Sequence, residues 1–138
     1  MERYIGTKII HAEPATGPSG DGYNVTYADG YTSWSPKAAF EEAYRPADGL
    51  TFGLAIEALK KGLKVARAGW NGKGMFLYYV PAAAYPAQRN TLGTMAGVFP
   101  DDMVPYCAYI AMKTAQDNVV PWLASQTDML AEDWRIVE

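Results

Sequence analysis

The segment "LTFGLAIEALKKG", residues 50–62, sets Phe52, Ala55, Ile56 and Leu59 on one helical face, and Leu63 continues the stripe. Lys60 and Lys61 fall in the last turn, where cations suit the carbonyl end, and Gly62 can close the helix in the left-handed conformation. The chain beyond Gly62 is different in kind. "LKVARAGW", "MFLYYV", "CAYIAMKTA", "VVPWLAS" and "WRIVE" are short runs of strand length. Gln116-Asp117-Asn118 supplies the turn between the third and fourth, and "DMLAEDW" reads as one helical turn capped by Thr127 or Asp128. A helix with one apolar stripe and strands with an apolar face bury both most simply by packing together. The expected fold is α+β, a small antiparallel sheet packed with one main helix, over residues 50–138.

Ahead of this lies a smaller pattern, residues 1–45. "RYIGTKIIHAEPA" opens as a short alternating strand, and "EPATGPSGDG" is expected to break it. In "YNVTYADGYTSWSP", Tyr23, Val25 and Tyr27 alternate with polar residues, Asp29-Gly30 turns the chain, and "YTSW" returns. Ser35 as N-cap and Pro36 at the first helical position start a short helix that ends before Pro46. Residues 46–49 then form a linker. This β-rich unit with its short helix is too small to be robust alone, and packing or oligomerisation is its expected role.

Between Val80 and Cys107 the pattern lapses. Pro81, Pro86, Pro100, Pro105, Gly93 and Gly97 punctuate a stretch longer than ordinary connections. Tyr85, Met95, Val98 and Phe99 make it too apolar for a solvated loop, so a functional loop or an oligomer arm is expected.

Charge and composition narrow the chemistry. A net charge of −3 argues against a general binder of nucleic-acid polymers. One cysteine and one histidine leave no disulfide and little to hold zinc, which fits a reducing cytoplasm. No run is long and apolar enough to span a bilayer, and the start does not read as a signal peptide. Cys107, at the start of an apolar run, reads as a buried inert thiol. His11 reads as a strand-end residue, and Glu41 and Glu42 as a solvated helix face. "GWNGKG" lacks the spacing and the Lys-Ser/Thr of a phosphate loop.

Recognition chemistry is better represented. Trp70 stands in a turn of three glycines where it can scarcely be buried, and Trp122 offers a second flat surface. Asn71, Ser125, Gln126, Thr127 and Asp128 can hydrogen-bond base or ribose edges. Arg67 and Lys73 supply positive charge, and glycine amides can approach phosphates. Against this stands a plainer reading, with Trp70 as a lid on the core and Trp122 as a core residue. Asp128 and Glu132, on one helical face, would be the acids of a nucleotide-cleaving alternative.

Two stretches carry a resemblance. "ARAGWNGKGM", residues 66–75, and "PWLASQTDMLAEDW", residues 121–134, are similar to motifs of the Thoeris anti-defence 2 family of phage and prophage proteins, and the likeness runs over residues 50–138. The resemblance implies a homotetramer in the cytoplasm of the infected host. It would sequester a cyclic ADP-ribose isomer at subunit interfaces without cleaving it, and needs no cofactor. Some family members also bind cyclic dinucleotides at a separate site. Carried onto this chain, the implied ligand-binding residues are Trp70, Asn71, Gly72, Lys73, Gly74 and Met75 from the first motif. Trp122, Ala124, Ser125, Thr127 and Asp128 come from the second. A phage structural or interaction protein without a small-molecule ligand is the alternative.

Overall fold

The computed structural model describes residues 1–70, 72–87 and 93–138. Strand β1 (His11–Gly17) pairs antiparallel with β2 (Gly20–Thr26), and β2 with β3 (Thr32–Pro36), in the order β1-β2-β3. The first strand therefore lies further along than its alternation suggests and runs through Pro14. It is an edge strand, where a residue without an N–H is tolerated. Residues 1–10 carry no regular element, and Ile5 is fully exposed. The turn at Asp29-Gly30 forms as expected, with the Tyr31 N–H on Asp29 Oδ1 at 2.9 Å.

Two glycines let Trp34 lie flat on this sheet. A Cβ at Gly17 would come within 2.0 Å of the indole, and one at Gly22 within 2.6 Å. Helix α1 (Lys37–Ala43) covers the other face, with Phe40 stacked 4.0 Å from Tyr23 and 5.0 Å from Tyr44. Its N-cap is Pro36, not Ser35; the serine belongs to β3 and makes no capping bond. Val25 is the one fully buried apolar side chain among the described residues of this unit. So thin a core gives this unit little burial of its own to draw on.

The second unit follows the sequence closely. Helix α2 (Phe52–Lys60) is capped by Thr51, whose Oγ1 accepts from the Leu54 N–H, and it closes at Gly62 with φ of 86°. Strands β4 (Lys64–Arg67), β5 (Phe76–Val80), β8 (Tyr109–Lys113), β9 (Val119–Pro121) and β10 (Trp134–Val137) form an antiparallel sheet in the order β10-β4-β5-β8-β9. Register aligns Ile136, Val65, Leu77, Met112 and Val120 in one row on one face. Val65 and Leu77 are fully buried there with Ala55 and Leu59 of α2. Each such aliphatic side chain is worth about 1.5–3 kcal/mol of burial. This is the α+β arrangement expected.

The long stretch after Val80 is more ordered than its prolines suggest. Strand β6 (Ala83–Pro86) pairs antiparallel with β7 (Met103–Tyr106), and a 3-10 turn at Pro100–Asp102 leads into β7. Tyr85 and Val98 are exposed on this ribbon, while Met95 and Phe99 are half-buried. Cys107 is exposed between β7 and β8, which corrects the expectation of a buried thiol: β8 begins only at Tyr109.

The domain's two ends are stitched together. The Leu50 N–H donates to Trp134 O at 2.8 Å, Trp134 returns the bond at 3.2 Å, and the Ile136 N–H donates to Ala47 O at 2.9 Å. Because these ties begin at Ala47, a chain lacking residues 1–45 should still fold. Its melt should stay cooperative and lose no more than ~1–2 kcal/mol, at about 4–8 °C per kcal/mol for a domain of this size. Circular dichroism and calorimetry check this; an unfolded truncation would make the first unit part of the fold.

Candidate functional site

The pairing of β10 with β4 brings the two sequence motifs together, because it sets Trp134 opposite Arg67. Arg67 then reaches two of the three acids of the second motif. Its Nε donates to Asp133 Oδ1 and its Nη1 to Asp128 Oδ1, each at 2.9 Å. Asp133 also accepts the Gly69 N–H on Oδ2 at 2.9 Å, and its backbone O accepts the Ala68 N–H at 3.1 Å. Gly69 fits here because a Cβ would press to 3.0 Å on Asp133 Oδ2. Asp128 Oδ2 takes the Ser125 N–H at 3.1 Å and the Ser125 hydroxyl at 2.8 Å.

Those last bonds form a capping box at helix α3 (Gln126–Leu130), since Ser125 Oγ also accepts the Asp128 N–H at 3.0 Å. Ser125 is thus the cap, rather than Thr127 or Asp128. The helix ends at Leu130, with Ala131 extended, so Asp128 and Glu132 do not share a helical face. That removes the carboxylate pair a cleaving enzyme would have drawn from this segment.

Both bracketed acids are held ionised. Hydrogen bonding from Arg67 is the main influence on Asp133; with the Gly69 amide it outweighs burial and keeps the carboxyl below its usual range. For Asp128, burial alone would raise the pKa. Bonds from the Ser125 amide, Arg67, the Ser125 hydroxyl and Trp70 overcome it and lower the value. Arg67 is pushed up by its bonds to Asp133 and Asp128.

These depressed values set the sign of a pH dependence. The stabilisation is fully present above the unfolded aspartate value of about 3.9 and is lost as pH falls through the lower folded values. The melting temperature should be flat from pH 8 to about pH 5 and fall below about pH 4. In Asp128→Asn/Asp133→Asn the neutral-pH melt should drop and the acid limb flatten. An acid limb as steep as wild type would remove these two groups from the explanation.

Beneath the bracket lies an aromatic cluster. Trp134 is 0% exposed, and its Nε1 donates to Asp128 O at 2.9 Å. Trp70 meets it nearly perpendicularly, with ring centres 5.5 Å apart and an 80° interplanar angle. Trp122 meets it at 6.0 Å and 83°, and Phe52 of α2 at 5.5 Å. Trp70 is therefore half-buried against the core, not held free on its turn as the three glycines suggested. The wall it leans on comes from a distant strand that the local sequence does not announce.

The other sequence-derived residues are disposed unevenly. Lys73 and Gly74 are exposed, and Gly74 O accepts from Lys113 Nζ at 3.2 Å. Gly72 is half-buried beneath Met75, whose sulfur would lie 2.1 Å from an added Cβ. Trp122 and Ala124 are half-buried, while Ser125 and Thr127 are exposed. Trp122 falls just past β9, where its N–H donates to Ile110 O. Asn71 lies outside the described residues. Arg67, which the sequence presents as ligand-facing charge, is instead engaged by two carboxylates. Sequence reasoning also misses the parts played by Asp133 and Trp134. The signal available is the pairing of "KVAR" with "WRIV", which puts Asp133 beside Arg67.

Clefts of about 290 and 590 Å³ open elsewhere, between residues 6–10, the α1–α2 connection and α2. None of the ligand-binding residues implied by the two motifs lines them. Among the described residues no group of three His, Cys, Asp or Glu could hold a metal ion, and no helix is long and apolar enough to cross a membrane.

The fold is that of a small α+β domain. One end of it gathers half-buried indoles, an exposed lysine and a capped helix start, with Asp128 and Asp133 held in ion pairs by Arg67. Residues 50–137 match the model of the Thoeris anti-defense 2-like domain, so the chain belongs to that family. It is 42% identical over 88 residues to Thoeris anti-defense 2 of Bacillus phage SP01, covering 64% of this chain and 94% of the relative. The family carries an anti-defence role; residues 1–49 lie outside the match.

Proposed function

We propose that this protein is a phage anti-defence factor that binds and sequesters a cyclic ADP-ribose-type immune signal without cleaving it, and so blocks Thoeris-type immunity in the cytoplasm of the host. The observation that carries the reading is the meeting of both family motifs at one end of the sheet. There Trp70 and Trp122 offer ring surface, Ser125 and Thr127 offer hydrogen bonds, and Lys73 offers charge to a phosphate. Asn71, Gly72, Gly74, Met75 and Ala124 complete the proposed contact set. Asp128, anionic and bonded through both oxygens, contributes by shaping the helix start rather than by moving a proton.

Affinity must come from several sources. Sequestration below signalling levels asks for roughly nanomolar binding, about −12 kcal/mol. A base stacked on one ring supplies ~1–3 kcal/mol, a value measured for nucleic acids. One exposed lysine is little for a diphosphate, so a neighbouring copy completes the site. Leu123, 91% exposed beside Trp122, and Leu130, 78% exposed at the end of α3, are apolar surface such a neighbour would cover. A homotetramer is the assembly proposed, with the β6–β7 ribbon near an interface, and a separate site for cyclic dinucleotides is a secondary element of the same reading.

Incubation with a cyclic ADP-ribose isomer, removal of free ligand and heat denaturation of the protein test this directly. Release of unaltered ligand in proportion to protein is expected, from a species of tetramer mass by light scattering. Altered ligand would mean an enzyme. No depletion would favour a structural or interaction protein in which the aromatic end meets another chain.

A further inference from the structure

The site poses a geometric problem. Trp70 and Ser125 stand on separate loops, yet a ligand touching both needs them in one fixed relation. The turn after β4 has glycine at positions 69, 72 and 74, and glycine contributes little stiffness of its own. Trp70 already bonds Asp128 and leans on Trp134, and Arg67 adds the tie that reaches the backbone of the turn through Asp133. Asp133 ties down the last residue of β4 and the first two positions of that turn: the Arg67 side chain at 2.9 Å, the Ala68 N–H at 3.1 Å and the Gly69 N–H at 2.9 Å. Asp128 caps α3 through Ser125, and its backbone O receives the indole N–H of Trp134. One guanidinium spans the two acids, with Nε on Asp133 and Nη1 on Asp128. Its planar fork has fixed donor directions, so satisfying both carboxylates sets the turn and the helix start relative to each other.

We propose that Arg67 is the positioning residue of the binding site, acting not by touching the ligand but by fixing the Trp70 turn against the start of α3. The proposal rests on the ligand reading given above. It also makes a claim about the protein without ligand, which separates the two. Two indoles 5.5 Å apart and nearly perpendicular couple their near-ultraviolet transitions, and the resulting circular dichroism depends on their mutual orientation.

The test compares wild type, Arg67→Met, Arg67→Lys and Lys73→Met by near- and far-ultraviolet circular dichroism, and by calorimetry with cyclic ADP-ribose as the probe. Arg67→Met should keep its far-ultraviolet spectrum, lose much of the near-ultraviolet indole signal and bind at least tenfold more weakly. Arg67→Lys can serve one carboxylate at a time and should recover part of both losses; it carries both readouts should the methionine variant fail to fold. Lys73→Met should weaken binding with the indole signal unchanged, as expected of a contact residue. An unchanged indole signal in folded Arg67→Lys and Arg67→Met would overturn the proposal. So would a changed signal with affinity intact. If wild type takes up no probe while the Arg67 variants alter the spectrum as described, the ligand reading fails and the positioning of the two loops is upheld.

Discussion

Trp134→Ala is expected to remove a large share of the stability of this protein. The side chain is 0% exposed and is touched edge-on by Trp70 and Trp122 and from the side by Phe52. Emptying a buried tryptophan site costs about 3–5 kcal/mol. The cavity would lie at the junction of α2, the Trp70 turn and α3, where collapse would have to move three elements at once. A domain of ordinary stability holds ~5–15 kcal/mol in all. The melt should therefore fall by tens of degrees, at about 4–8 °C per kcal/mol. Trp134→Phe separates the ring from its polar edge. It keeps most of the contact but leaves Asp128 O without the indole N–H, which costs ~1–3 kcal/mol if that carbonyl stays dry. A drop of under about 5 °C for the alanine variant, roughly 1 kcal/mol, would show that the cluster is not the keystone of this end of the sheet.

Trp70→Ala should show two losses at once. A ring standing free on a glycine turn would leave the melt untouched when removed, whereas this one is half-buried against Trp134. Removing it should take away ~1–2 kcal/mol of burial. Affinity for the cyclic nucleotide should fall at least tenfold, or about 1.4 kcal/mol. Trp70→Phe should restore most of the stability and part of the affinity, because a smaller ring still stacks. A lowered melt with affinity intact would mean that Trp70 serves only as a lid on the core. Intact binding in both Trp70→Ala and Trp122→Ala would dismiss the stacking model.

Where local periodicity carries the information, the sequence can be read directly. Helix α2, its closing glycine and each strand of the five-stranded sheet follow from spacing within a dozen residues. Pro14 looks like a breaker, yet β1 is an edge strand that accommodates it. The failures at Trp70 and Arg67 share one cause, which is dependence on a partner far along the chain. Trp70 looks exposed because its wall, Trp134, belongs to the last strand. Arg67 looks like free charge because both its acids lie in the second motif. Ser125 is different: the spacing Ser-x-x-Asp ahead of an apolar pair is a local capping signal, masked by the equally plausible caps inside the box. Both motifs are visible from sequence. That they form a single mechanical unit is not.

The hydrogen bonds joining Leu50 to Trp134 and Ala47 to Ile136 have a consequence beyond stability. They make the domain's way in and way out neighbours at one corner of the sheet. A segment attached before residue 47 or after residue 137 departs from the same place, so it can be exchanged without redirecting any strand or disturbing the Trp70 turn. The family match begins at residue 50, three residues beyond the outermost of these ties. In this chain the segment that departs from that corner on the N-terminal side is the three-stranded sheet with α1, and no strand of the five-stranded sheet has to pass through it.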